Sequence, residues 1–560
     1  MIEPRQSVKT LKAYSPPLEG RRERIRLDFN ENTAGFPEFY PQEPPTLFTC
    51  YPEYQAFIEQ MSSLWKLPQE NFLLTNGSDE ALFLGAFTFI EPGQDTALTM
   101  TPTFSLIPHY LKLVGSDLIE VPYTSEFQYD TDKISKYLQE QSIKLALFAS
   151  PDNPTGAMLT LETIRNWCRS YPNTLFVIDE AYAEYAGTTA LPLIHEFNNL
   201  LITRTFSKAW GLAGVRLGMM IGSRNLIDML QRVRSPYSVN ALAIQTAAQL
   251  LPHHAEVLQQ AQEVMKRKER VLQEVARRGY RIIPGHANFF LMQVGLDAAG
   301  FCEFFQQRGI LLRNQSGLPG LRGLVRVSVG TQTEMEKFLS VLDEVRQKRV
   351  LLFDMDDTLV DTSQSFDVTI AQLVERHSGQ SLFEDELSKL RAKGGFNDDW
   401  EATVELLRQR GITKTYGDIV GEAQALYLGI AMEVETWLVA PETLSELKKR
   451  YRLGVATGRC RVEYDPIWHE RFEPLFDVVI CQDDDPACAK KPSPELLQLA
   501  LSALKAEGGL YIGNAVDDMK AAKAAGLTAI GVTTTHDVGK LRAAGADFVF
   551  DSLSELAFNL

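Results

Sequence analysis

Leu175-Phe-Val-Ile-Asp-Glu-Ala-Tyr182, followed downstream by Thr205-Phe-Ser-Lys-Ala-Trp-Gly-Leu-Ala-Gly-Val-Arg216, decides the fold of the first part of the chain. The earlier stretch is a short apolar run that ends on a carboxylate. A run without polar alternation reads as a strand buried on both faces, as in a parallel sheet covered by helices. Working outward, Leu145 to Ala149 and Leu200 to Ile202 repeat the pattern within residues 70 to 240. They predict an α/β, doubly wound large domain over about residues 45–250. Residues 252 to 279 read as one long, charged, amphipathic helix leading into a small α/β domain. That domain takes the N-terminal arm and about residues 251–347, with Asn288 to Leu291 and Leu324 to Val329 as strands.

A second α/β series opens at Val350-Leu-Leu-Phe353. It resumes at Arg452 to Ala456, Val478 to Cys481, Leu510 to Ile512, Thr528 to Val532 and Phe548 to Phe550. Two domains are therefore expected, residues 1–347 and 348–560, the second with a Rossmann-like core (348–361 and 446–560) and a helical insertion at 362–445.

The chain has 560 residues, 45% apolar and 23% charged, which is the composition of a globular protein. A net charge of -16 argues against nucleic acid as partner, since that footprint is a basic face. Six scattered cysteines form no CxxC pair or dense framework. No apolar run approaches the roughly 20 residues that cross a bilayer, and the first residues lack a charged head followed by an apolar stretch. A cytoplasmic protein acting on small molecules, with no membrane partner, is the expectation.

Pyridoxal phosphate needs a lysine for a Schiff base, an acid beside the pyridine nitrogen and donors around the phosphate. Lys208 stands among hydroxyls and a guanidinium, and Asp179 ends a strand where ligands of open α/β sheets bind. Alone, a lysine is usually solvated and an aspartate after a strand often caps a helix; the ordered set carries the reading. These segments, with Ser150-Pro-Asp-Asn-Pro-Thr-Gly156, resemble the class I/II aminotransferases of fold type I over roughly residues 10 to 345. Leu27-Asp-Phe-Asn-Glu-Asn32 and Tyr51-Pro-Glu bring the resemblance to the histidinol-phosphate aminotransferase family.

That resemblance implies Lys208 as the catalytic lysine and Asp179 as the ring-nitrogen partner. Phe104, where the family commonly has Tyr, would stack on the ring. Asn153 and Tyr182 would bond the ring hydroxyl, and Gly77, Ser78, Asp79, Thr205, Ser207 and Arg216 would surround the phosphate. Tyr51 would reach the cofactor of a neighbouring subunit, which implies a homodimer. Tyr14, Arg313 and Arg326 would meet the anionic end of the substrate, paired guanidiniums suiting a phosphate. Read otherwise, Arg313 is a strand-end surface charge and Arg326 alone meets substrate, as in aminotransferases of free amino acids.

Asp354 and Asp356 lie two apart after a buried run, so both face one side of an extended segment. The spacing suits a nucleophilic carboxylate and an acid/base around one Mg²⁺. Thr457, Lys491 and Gly513-Asn-Ala-Val-Asp-Asp518 follow later strands. The arrangement resembles the haloacid dehalogenase superfamily with a C1-type cap, over roughly residues 350 to 560. It implies Asp354 as nucleophile, Asp356 as general acid/base, and Thr457 and Lys491 holding the phosphoryl group. Mg²⁺ would sit on Asp354, Asp356, Asn514 and Asp518. The superfamily usually has Gly-Asp where this chain has Gly513-Asn514, and the missing charge predicts weak Mg²⁺ binding. In the cap, Lys393-Gly-Gly-Phe-Asn-Asp-Asp-Trp400 reads either as a substrate-selecting segment or as a helix-capping turn.

The expected function is bifunctional: transamination of imidazole acetol phosphate by glutamate to histidinol phosphate and 2-oxoglutarate, then hydrolysis of histidinol phosphate. The alternatives are an aminotransferase of aromatic or other amino acids, or a phosphothreonine decarboxylase. Either would be fused to a phosphatase of unrelated substrate or to a non-catalytic module.

Overall fold

The computed structural model describes residues 24–28, 30, 32, 51–296, 298–383, 385–391 and 398–559. Contacts divide the chain between Val341 and Leu342. That division falls inside helix Gln332–Lys348, a few residues before the join read from the sequence.

In the first unit seven strands form one sheet. Their order is Phe72–Thr75, Gly218–Gly222, Leu200–Thr205, Leu175–Asp179, Ile143–Ala149, Thr96–Thr101, Asp117–Pro122. Every residue of Leu175–Asp179 is buried, as its unbroken apolar run requires. The parallel expectation fails at Gly218–Gly222, which runs antiparallel to both neighbours. The chain returns from Thr205 to Gly218 through a loop whose one regular element is a single 3₁₀ turn, Ala213–Val215, with no crossover helix, so reversal is the available connection. This strand was not read from the sequence. Helix Gly77–Phe89 packs on the sheet with an apolar cluster that includes Leu82, Leu147, Val177 and Met220.

The small domain is a four-stranded antiparallel sheet in the order Arg313–Asn314, Leu324–Ser328, Phe289–Gln293, Ile282–Ile283. The long helix is His254–Arg277. The N-terminal segment joins this domain, with Ile25–Arg26 parallel to Ile310–Leu311.

The second unit carries six strands in the order Val478–Ile480, Arg452–Ala456, Val350–Phe353, Leu510–Gly513, Thr528–Val532, Phe548–Phe550, all pairs parallel. Between the first two in sequence come helices Phe366–Ser378, Glu386–Arg391, Asp399–Gln409 and Tyr416–Val434. A strand pair, Val360–Asp361 with Thr436–Trp437, closes the root of this insertion. The next helix, Pro441–Lys448, packs on the core strand Arg452–Ala456 and helix Leu553–Asn559, so the helical insertion ends near Val434.

Candidate active sites

In the first unit a cavity of about 760 Å³ opens at the carboxyl ends of the central strands. Its lining includes Ser78, Asp79, Phe104, Asn153, Asp179, Tyr182, Thr205, Ser207, Lys208 and Arg216, together with Arg313 and Arg326 from the small domain. The sequence set thus converges on one site although its members span 248 positions, Ser78 to Arg326. Tyr14 lies outside the described residues. Tyr51 is not in this lining; it is 75% exposed and stacks on Tyr237 at 4.4 Å.

One wall is built for an anion. Ser78 sits in the first turn of Gly77–Phe89, where unpaired N–H groups and the helix dipole favour negative charge. The Arg216 guanidinium reaches Ser207 Oγ at 3.2 Å and Asp79 Oδ2 at 2.9 Å. Arg216 is held at φ 59, a left-handed conformation that costs a non-glycine residue about 1–3 kcal/mol. Asp79, read as a phosphate contact, orients Arg216 instead, since a carboxylate facing the phosphate would repel it. Gly77 needs its hydrogen: a Cβ there would lie 2.6 Å from Arg216 Nη2.

At the floor, Thr203 donates to Asp179 Oδ1 at 2.7 Å. Burial pushes the Asp179 carboxyl up to about 6, against that hydrogen bond. Lys208 Nζ stands 5.7 Å from the centre of the Tyr182 ring. Arg326 is buried and donates to Asn153 Oδ1 and to the Asp28 carbonyl. Arg313 pairs directly across from it in the antiparallel register. A lysine, a buried acid awaiting a cation and an anion cup fit pyridoxal phosphate. Sequence reading missed Asn30, Gln315 and Leu318 in the lining. Asn30 had a signal, since it sits in the Leu27–Asn32 motif.

In the second unit, Lys491 Nζ lies 2.6 Å from Asp354 Oδ1, 2.8 Å from Asp518 Oδ1 and 2.7 Å from the Tyr511 hydroxyl. Burial drives the Asp354 carboxyl up to about 7, with Asp518 adding to the rise and Lys491 opposing it. Asp518, read as a metal ligand, has both oxygens engaged, Oδ1 by Lys491 and Tyr511 and Oδ2 by the Ala515 N–H at 3.0 Å. It stands behind Lys491. Asn514 Oδ1 accepts from Thr358 at 3.1 Å, and its amide donates to Thr535. Thr457 is fully buried, and its hydroxyl accepts the Arg459 N–H at 3.1 Å.

Arg459, absent from the sequence reading, ties two carboxylates of this site together. It donates to Asp356 Oδ1 at 2.6 Å and to both oxygens of Glu435 at 3.0 and 3.1 Å. Glu435, at the end of the helical insertion, also accepts from Ser365, Tyr427 and Trp468 at 2.7–2.8 Å. Burial lifts the Asp356 carboxyl, and Arg459 opposes that rise. The Lys393–Asn397 part of the quoted cap segment lies outside the described residues; Asp398 caps helix Asp399–Gln409 by accepting from Trp400 and Glu401.

Among the described residues no three His, Cys, Asp or Glu side chains form a ready metal cage. Lys491 and Arg459 are each shared by two carboxylates, and Asn514 is an amide. The donors present, the Asp354 carboxylate, the Asp356 carbonyl and the Asn514 amide, are still the hard oxygens that Mg²⁺ takes.

Comparison with known proteins follows the same division. The family described as aminotransferase class I and II matches residues 42–342, and that of haloacid dehalogenase-like hydrolases matches 348–526. Histidinol-phosphate aminotransferase 1 of Carboxydothermus hydrogenoformans is 33% identical over 350 residues, 61% of this chain and 98% of that protein. The crystal structure of histidinol-phosphate aminotransferase from Sinorhizobium meliloti with pyridoxal-5'-phosphate superposes with TM-score 0.54 at 23% identity, covering 61% of this chain and 96% of that one. L-threonine-O-3-phosphate decarboxylase from Porphyromonas gingivalis gives 0.51 at 20%, covering 57% and 98%. One fold thus hosts different reactions. The first match spans more than half of the residues, and the chain therefore belongs to the class I and II aminotransferases, as a member that carries a haloacid dehalogenase-like hydrolase on the same polypeptide.

Proposed function

We propose that the first unit converts imidazole acetol phosphate and glutamate to histidinol phosphate and 2-oxoglutarate, and that the second hydrolyses histidinol phosphate. The observation that carries the first half is the Arg313–Arg326 cross-strand pair in the cavity. Two guanidiniums on neighbouring strands suit a dianionic phosphate, and the named relatives act on such a substrate. The bound cofactor supplies an electron-withdrawing ring that makes the C–H bond at the amine carbon acidic. Lys208 Nζ moves that proton, Asp179 holds the pyridine nitrogen charged, and Phe104 presses on the ring face. Arg216, Ser78 and Ser207 anchor the cofactor's phosphate. In a homodimer Tyr51, exposed in the single chain, would serve the cofactor of the second subunit.

In the second unit Asp354 attacks phosphorus and the leaving oxygen takes its proton from Asp356. Lys491 and Thr457 hold the phosphoryl oxygens. Mg²⁺, held by Asp354, the Asp356 carbonyl and Asn514, would neutralise phosphate charge. Water then releases phosphate from Asp354, with Asp356 as base. The deciding experiment is phosphate release from histidinol phosphate with Mg²⁺ by the intact protein and by Asp354→Asn. Release that disappears in the variant supports the second step. No release, with transamination intact, assigns the hydrolase another phosphoester or none, and carbon dioxide release from phosphothreonine would replace the transaminase reading.

A further inference from the structure

Tyr182 has its hydroxyl in a hydrogen-bond chain whose direction can be worked out atom by atom. The chain starts at a group with no ambiguity, the backbone N–H of Asn30, which donates to Ser328 Oγ at 2.9 Å. That oxygen is therefore an acceptor there, and the one hydroxyl proton of Ser328 goes to Asn30 Oδ1 at 2.8 Å. This identifies the amide oxygen, so the other end of the amide, Nδ2, is the atom that meets the Tyr182 hydroxyl at 2.9 Å. An amide nitrogen only donates. The Tyr182 oxygen accepts, and its own proton must point elsewhere. Tyr182 lines the cavity, so that proton is available to a group bound there.

Asn30 and Ser328 are each 1% exposed and Tyr182 4%, so water does not scramble the chain. Burial pushes the phenol up, against Arg326 and the Asn30 bond, while Asp179 and Asp152 push with it. The phenol keeps its proton at neutral pH. Lys208 Nζ also faces it, 5.7 Å from the ring centre, and the buried Tyr185 phenol interacts with it.

We propose that Ser328 and Asn30 are positioning residues that hold the Tyr182 hydroxyl as a hydrogen-bond donor to the phenolic oxygen of bound pyridoxal phosphate. The proposal rests on the cofactor reading above. It adds a link between the small domain and the chromophore. Ser328 lies two residues after Arg326 on strand Leu324–Ser328, on the same face. Leu27, Asp28 and Asn30 are tied to that strand by the Ser328 N–H on the Leu27 carbonyl at 2.9 Å and by Arg326 on the Asp28 carbonyl. The strand that meets the substrate anion is thus the strand that aims the donor.

The test is a pH titration of the visible absorption of the holoenzyme. A hydrogen bond donated to an oxyanion favours the anion, so its loss raises the pKa of the chromophore. Tyr182→Phe sets the full shift, expected at about one pH unit upward from the worth of a hydrogen bond to a charged group. In Ser328→Ala the amide loses the donor on its oxygen, turns that oxygen toward Tyr182 and captures the phenol proton. The titration should move the same way, toward the Tyr182→Phe value, and Ser328→Thr, which keeps the hydroxyl, should titrate with wild type. Wild-type titration of Ser328→Ala beside a shifted Tyr182→Phe overturns the relay and leaves the donor role standing. An unshifted Tyr182→Phe overturns both. If Ser328→Ala does not fold, Asn30→Ala is expected to shift the same way by less, and no shift there overturns the relay. Failure of the cofactor reading looks different: wild type then shows no pyridoxal-phosphate absorption that Lys208→Ala abolishes.

Discussion

Asp179→Asn is expected to stabilise the cofactor-free first unit while abolishing transamination. Asp179 is 5% exposed, and the side chain that meets it is a neutral hydroxyl, Thr203 at 2.7 Å. Burial holds its carboxyl near 6, whereas in the unfolded chain it titrates near 3.9. The sign follows from proton counting. Between about pH 4 and 6 the folded state binds the extra proton, so stability falls as pH rises through that window and stays reduced above it. A carboxyl held about two pH units above its unfolded value costs about 3 kcal/mol at neutral pH. The amide can still accept from Thr203, but its NH₂ end opposes the Ala181 N–H that the carboxylate accepts, which returns about 1 kcal/mol. A net gain of about 2 kcal/mol at pH 7.5 should shrink to near zero by pH 4.5. Calorimetry of the apo protein reads it, with the first unit's transition identified as the one that pyridoxal phosphate raises in wild type. Equal pH dependence of the two proteins over that range would refute the reasoning.

Arg459→Met leaves Asp356 and Glu435 without their cation and should weaken the second unit by about 3–5 kcal/mol. Adding Glu435→Gln should recover part of the loss, read by hydrogen exchange over residues 427–437 and 459–468; no recovery would mean the pair is not coupled. Arg313→Ala should raise KM for the phosphorylated substrate by roughly 10- to 100-fold, the worth of a charge-assisted bond, with little change in kcat. In Gly218→Ala the new Cβ falls 2.5 Å from the Gly77 carbonyl carbon and 2.6 Å from Ser78 N, so the helix start must shift and pyridoxal-phosphate affinity, by fluorescence titration, should drop at least about tenfold. Asn514→Asp restores a carboxylate beside Asp354 and should tighten Mg²⁺ by roughly tenfold in titration calorimetry, since ligand charge tunes affinity.

The groups legible in the sequence are those whose position follows from one local pattern. Asp179, Asp354 and Thr457 each end or follow an apolar run, and a buried strand delivers its last residue to the ligand-binding edge. Lys208 and Arg216 were legible from one continuous turn. What escaped depends on pairing across long separations. Strand Gly218–Gly222 is a glycine-flanked apolar run, and nothing local states its direction. Asp79 looks like a phosphate neighbour until Arg216, 137 positions away, takes its carboxylate. Arg459 follows Thr457 by two residues, but its importance comes from Glu435, 24 positions earlier. A buried arginine needs partners, and sequence does not say which ones.

The two sites balance their buried charge by different means, and that sets how each responds to loss of its cofactor. In the hydrolase unit Lys491 bridges Asp354 and Asp518, and Arg459 bridges Asp356 and Glu435, so each carboxylate has a charged partner and two cations already present meet four carboxylates. At most two negative charges among these six groups remain for Mg²⁺ to answer, and Asn514 adds none. In the aminotransferase unit the ionised Asp179 is met by a hydroxyl and a backbone N–H, neither of them charged, and the pyridinium of the cofactor is the cation that fits it. Pyridoxal phosphate therefore relieves a strain the protein carries without it, in addition to the gain at the Arg216 cup. Its removal should lower the first transition by several degrees, whereas chelating Mg²⁺ should leave the second nearly where it was.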